Sequence, residues 1–226
     1  MATKKTTKQA LQQEKIEETV SKTEQFYNEN KKTIWGCIIA AAVIALAILA
    51  YYQFYMKPKI AEAQEQMYPA EQAFRQGNFD LAFNGDGNNY GFAQIIDEYG
   101  SKAGKAVYLY AGACQLQLQN YEEAVKYLKK YKGKEPILSA RAQACLGDAY
   151  VGLQQYAEAA AQFEKAAGVS DNVFAAEYLL KAAVAYEELG DKDKALKLYE
   201  TIKDKYPQSI EGYDIDKYIN RIKIAE

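Results

Sequence analysis

The chain contains no histidine in 226 residues, and only three cysteines, four prolines and one tryptophan. Without histidine it lacks the side chain most often used as a general base near neutral pH and a frequent nitrogen ligand for metals. A phosphate-binding glycine loop and a metal-ligand spacing are missing too, and the carboxylates are scattered over helix faces. The sequence therefore predicts neither an enzyme nor a site for a cofactor, a metal or a small-molecule substrate. Three cysteines cannot build a disulfide scaffold. Cys37 lies in an apolar run, and Cys114 and Cys145 read either as small buried helix residues or as a single bridge in an oxidising compartment. A strongly basic balance is also lacking: 28 basic against 30 acidic groups give a formal net charge of −2, so nucleic acid is not an expected partner. What is abundant is alanine, leucine, glutamate, lysine and glutamine, which favours helix. An all-α protein is expected.

One stretch lacks charge altogether. Ile34 to Tyr52 is nineteen residues long, or roughly 28 Å as a helix, close to the ~30 Å hydrocarbon core of a bilayer. Lys31 and Lys32 precede it, and Tyr51, Tyr52, Tyr55, Lys57 and Lys59 follow, so that aromatic rings can sit at headgroup level and lysines reach water. The polar residues ahead of the run and the aromatics closing it do not fit a cleaved signal. Three segments follow: a polar tail over 1–33, a transmembrane helix over 34–56 and a domain over 57–226. The tail reads either as a helix leading into the anchor or as a disordered lead. Within about 20 residues of the run, lysine placement slightly favours the tail as the cytoplasmic side. The expectation is a single-pass protein of a bacterial inner membrane with its large domain in the periplasm. Pro58 suggests a hinge, and Pro69 falls inside a helical pattern.

The domain repeats itself. Val107 to Tyr131, Ala142 to Ala166 and Tyr178 to Ile202 align without a gap. Gly112, Gly147 and Ala183 share one column, Ala124, Ala159 and Ala195 a second, and Leu128, Phe163 and Tyr199 a third. The first two columns are small because helices crossing there need close backbones, while Tyr150 and Tyr186 help to fill the space between. Asn120 and Gly190-Asp191 supply turn or capping residues. The pattern resembles the tetratricopeptide repeat, a helix-turn-helix unit of about 34 residues. Units are expected near 105–138, 140–173 and 176–209, with a divergent one near 66–100. A capping helix over 209–226 would place Ile210, Tyr213, Tyr218, Ile219 and Ile222 on its apolar face. Asn84, Asp86 and Asn88 alternate like calcium ligands, but Asn89 and Ile95 stand where such a loop needs glycine and glutamate, so this is a glycine-rich interruption.

The resemblance implies a fold and a site: a helical solenoid whose first helices line a peptide-binding groove. Carried onto this chain, the groove would include Leu109, Leu116 and Gln117, then Arg141, Asp148 and Val151, then Glu177, Leu180, Val184 and Glu188. The order of parts resembles the YfgM-like ancillary subunits of the bacterial Sec translocon. That likeness implies a scaffold engaging the translocon, a membrane-anchored chaperone or an emerging polypeptide. Two alternatives stay open. One is a cell-envelope assembly or division scaffold, of outer-membrane biogenesis or Tol-Pal type; the other is a self-associating structural protein, with Ala41, Ala42, Ala45, Ala47 and Ala50 allowing close helix packing.

Overall fold

The computed structural model describes residues 3–169 and 174–224, with side chains from Glu24 onward. Two compact units divide at Pro58 and Lys59.

The first unit is one helix, α1 (Thr3–Tyr51), ended by a π turn over Tyr52–Met56. The tail is thus helical from Thr3. Ile39, Ile44, Leu46 and Leu49 are 59 to 65% exposed, so the apolar surface of the helix is open among the described residues. This is one helix long and apolar enough to cross a membrane. Its ends carry organised aromatics: the Trp35 indole N–H donates to the Tyr27 hydroxyl at 3.1 Å, and Tyr51 stacks on Tyr55 at 5.1 Å. Pro58, where a hinge is expected, lies at the division between the two units. The Lys57 backbone is helical at φ −62° and ψ −45°, and its N–H reaches back five residues to the Tyr52 carbonyl. A wider turn of this kind shifts the hydrogen-bond register locally.

The second unit is a succession of helix pairs: α2 (Lys57–Arg75) with α3 (Phe79–Asn84), α5 (Ala106–Gln117) with α6 (Tyr121–Leu128), α7 (Pro136–Gly152) with α8 (Tyr156–Val169), and α9 (Ala175–Glu188) with α10 (Lys192–Lys205). A short α4 (Phe92–Tyr99) and a 3₁₀ turn (Gly100–Ala103) separate the first two pairs, and α11 (Ile210–Ile224) ends the array.

The same turn joins the helices of all four pairs. The N–H groups of Asn78, Asn120, Gln155 and Asp191 reach back to the carbonyls of Ala73, Gln115, Tyr150 and Tyr186 at 2.8 to 2.9 Å. This is a Schellman closure, which needs a left-handed residue just before it. Gly77 and Gly190 take that place at φ +79°, and Gln119 and Gln154 take it at φ +61° and +59°. The capping residues differ. Asp191 accepts the Lys194 N–H at 3.2 Å, whereas the Asn120 side chain turns back to Gln115 at 2.8 Å.

Packing follows the three columns. A methyl group at Gly147 would come within 2.6 Å of the Phe163 ring, and one at Gly112 within 2.5 Å of Leu128. Leu128, Phe163 and Tyr199 are buried between the helices, as are Ala124, Ala159 and Ala195. Three neighbouring cores result. The first centres on Phe92, Ile95 and Val107, the second on Leu128, Tyr150 and Phe163, and the third on Tyr199, Ile202 and the inner face of α11. Cys114 and Cys145 belong to different cores and are both free and buried; burial pushes the Cys114 thiol up to about 12. On α11 the inward stripe is Ile215, Ile219 and Ile222 with Tyr218 partly covered. Ile210 and Tyr213, expected on that face, are instead 85% and 74% exposed.

The interruption after α3 is held by its own polar groups. Asp86 accepts the backbone N–H groups of Asn88 and Asn89, at 2.9 and 2.6 Å, and the Asn89 amide at 3.1 Å. These bonds hold its carboxyl below the usual range, the Asn89 backbone N–H contributing most.

Candidate functional site

The first helices of two successive repeats, α7 and α9, are separated by the second helix of the earlier repeat, α8. Side chains from all three line a pocket of about 380 Å³, within the roughly 300–1,000 Å³ range of ligand clefts. Tyr156 and Phe163 come from α8, Val151 from α7, and Leu180, Val184 and Ala185 from α9. Phe163 forms a rigid floor because its other side is pressed against Gly147. Val151 and Val184 are 40% and 38% exposed, so apolar surface is open to an incoming group.

A charged link crosses the rim. Lys181 of α9 places its ammonium 3.0 and 3.2 Å from the two Asp148 oxygens on α7 and 3.4 Å from Glu177. The same ammonium lies 5.7 Å from the Phe163 ring centre. Burial works against its charge, but Asp148 first and Glu177 next outweigh that and raise its pKa. Lys181 is thereby committed to internal partners. Glu188, at the other end of the pocket, is exposed and has no ion-pair partner among the described residues. An apolar floor, a rim whose lysine is paired internally and one free carboxylate can seat an apolar side chain with a cation beside it.

Of the ten residues expected on the groove, Asp148, Val151, Leu180, Val184 and Glu188 line this pocket together. Glu177 stands at its rim through Lys181. Arg141 and Gln117 are exposed but do not line it, and Leu116 is half-buried against the second core. Leu109 is a correction: at 7% exposure it is part of that core, not of an open groove. Tyr156, Phe163, Lys181 and Ala185 are the pocket residues not named from the sequence as groove residues. The lysine's link to Asp148 spans 33 positions, which no local pattern announces.

Other hollows are less suited to a partner. One of about 170 Å³ lies between α2 and the Gly85–Tyr90 loop, where Asp86 is engaged in the loop's own hydrogen bonds.

Tetratricopeptide-repeat profiles match residues 106–136 and 146–210, the second span containing the whole pocket. No curated protein matches the sequence. Among the solved structures with a matching fold are two crystal structures of MamA. One has a TM-score of 0.54 at 20% identity, covering 69% of this chain and 88% of that one. The other has a TM-score of 0.57 at 21% identity, covering 72% and 84%. At such identities the likeness is one of fold. Within the second unit, tetratricopeptide-type repeats are thus matched over residues 106–136 and 146–210, and α11 follows them.

Proposed function

We propose that the protein is a membrane-anchored interaction scaffold. In this reading the apolar part of α1 crosses a bacterial inner membrane, the tail is cytoplasmic, and the repeat array stands in the periplasm. The α7–α9 pocket holds segments of partner proteins, and the molecule acts by binding, with no reaction of its own. The observation that carries the reading is the pocket itself: an apolar lining of Val151, Tyr156, Leu180 and Val184 over the buried Phe163, with Glu188 free at its edge. A partner segment with one large apolar side chain followed by a basic residue fits that surface best.

Anchoring supplies what a small pocket lacks. Confining it to a membrane raises its effective concentration toward partners in the same bilayer to roughly millimolar, so micromolar or weaker contacts suffice. The uncharged window of α1, none of it buried, supports the anchor. From the resemblance of its order of parts to the YfgM-like subunits, we further propose that the protein acts beside the secretion channel, engaging the translocon, a membrane-anchored chaperone or the emerging chain.

Photocrosslinking from Val184 in intact membranes tests the assignment. Adducts to the secretion channel, its chaperones or a translocating chain support it. Adducts to outer-membrane assembly factors would move the protein to envelope assembly, and self-adducts alone would make it a structural oligomer. Protease added outside spheroplasts should digest the repeat array and spare the tail; protection of the array would reverse the topology.

A further inference from the structure

The segment joining α6 to α7 has a composition unlike the rest of the chain. Residues 126–138 hold five lysines and one glutamate, a net charge of +4, whereas the whole chain carries −2, so the remainder sums to −6. Lys126, Lys129, Lys130, Lys132 and Lys134 are all exposed. Only Lys126 has a carboxylate partner among the described residues, Glu123 at 3.1 Å.

The segment is ordered from inside. Tyr131 is buried, and its hydroxyl lies 3.5 Å from the Glu135 carboxylate, which also accepts the Lys134 backbone N–H at 3.1 Å. The single acidic group is thus folded into the segment. Lys129 rests 5.6 Å from the Tyr150 ring centre and Lys130 5.8 Å from that of Tyr127, so their stems lie along aromatic faces. Immediately after the lysines, Ile137 is 63% exposed and Leu138 39%.

From this placement we infer that the Lys126–Leu138 segment is a membrane-surface contact: its lysines meet anionic phospholipid headgroups and Ile137 enters the interface. Two features favour lipid over an acidic protein segment. Every cation is lysine, a compact and strongly hydrated point charge suited to diffuse attraction, and none is arginine, whose planar fork recognises individual carboxylates. The exposed isoleucine beside the charges supplies the apolar half of an interfacial contact, and lysines near an anionic surface each add attraction within a Debye length. The inference rests on the membrane-anchored reading, since a tethered domain meets the bilayer at high effective concentration.

The test uses the full-length chain in lipid nanodiscs, either of phosphatidylcholine alone or of an equal mixture with phosphatidylglycerol. Lysine acetylation by an N-hydroxysuccinimide ester is read residue by residue by mass spectrometry. Anionic discs should slow labelling of Lys129, Lys130, Lys132 and Lys134 by roughly fivefold for each lysine engaged. Exposed Lys165 and Lys197 should label alike in both discs. About 0.5 M salt, where the Debye length is roughly 4 Å, should erase the difference. The double change Lys130→Glu, Lys132→Glu should restore labelling of Lys129 and Lys134. Equal labelling in the two discs overturns the inference, as does protection by soluble polyglutamate as strong as that by anionic lipid. Flotation of the same samples reports whether the chain stays in the disc at all. Loss of the chain from discs contradicts the anchor, whereas retention with an unchanged footprint contradicts only the surface contact.

Discussion

At the scale of single residues, the repeat depends on where side chains are missing. Gly147 and Phe163 meet so closely that a Cβ would stand 2.6 Å from the ring. Gly147→Ala should therefore destabilise the 59–226 domain by about 1–3 kcal/mol in denaturant unfolding; an unchanged midpoint would contradict the packing. The opposite sign is expected at the left-handed turn positions. Gln119 and Gln154 occupy φ near +60°, where their equivalents in the flanking repeats are Gly77 and Gly190. Gln154→Gly should stabilise the domain by up to about 1 kcal/mol, because the strain of an L side chain exceeds the entropy glycine loses on folding. Asp191 adds a pH dependence. The Lys194 side chain and then its backbone N–H depress the Asp191 carboxyl below its usual value. A depressed carboxyl contributes stability above its unfolded pKa and loses it as pH falls through the folded one. Melting temperatures of wild type and Asp191→Asn should differ most near neutrality and converge toward pH 3.

At the scale of elements, one turn is reused four times with different residues, and one helix finishes the array. α11 buries Ile215, Ile219 and Ile222 against Tyr199 and Ile202. It is also latched: Glu187 of α9 accepts both the Tyr199 hydroxyl of α10 and the Arg221 guanidinium of α11, the latter at 2.6 Å. Ile219→Ala should cost about 2–5 kcal/mol in denaturant unfolding of the same domain, and a loss below about 0.5 kcal/mol would mean that the helix is peripheral. Much of this was legible in the sequence, because crossing helices leave columns of small residues at fixed spacing, and Gly112, Gly147 and Ala183 mark them. What was not legible is set by contacts distant in sequence. The Glu187 latch reads locally as half of a solvated acidic pair, and Ile210 and Tyr213 read as inward-facing although the helix face turns toward Ile215 and Ile219.

At the scale of the whole molecule, a candidate membrane span and a repeat array lie on one chain, and the proposed activity needs both. Half of the expected groove residues line the pocket, because alternate turns of the first helices face the same side in each unit. Leu109 does not, since the same position in the first good repeat packs into the core. Lys181 joined the site through a partner in another repeat, so only the folded chain reveals that this lysine is paired within the rim and that Glu188 is left free. The most direct test of a tethered binding pocket is the photocrosslinking yield from Val184 in native membranes, measured for the full chain, for a soluble 59–226 form exported to the same compartment, and for the full chain carrying Leu180→Asp. The expected result is a discrete partner adduct from the full chain that falls about tenfold or more without the anchor and disappears with Leu180→Asp. Adducts of equal yield from all three, or equal yield from exposed Lys165 on α8, would contradict it.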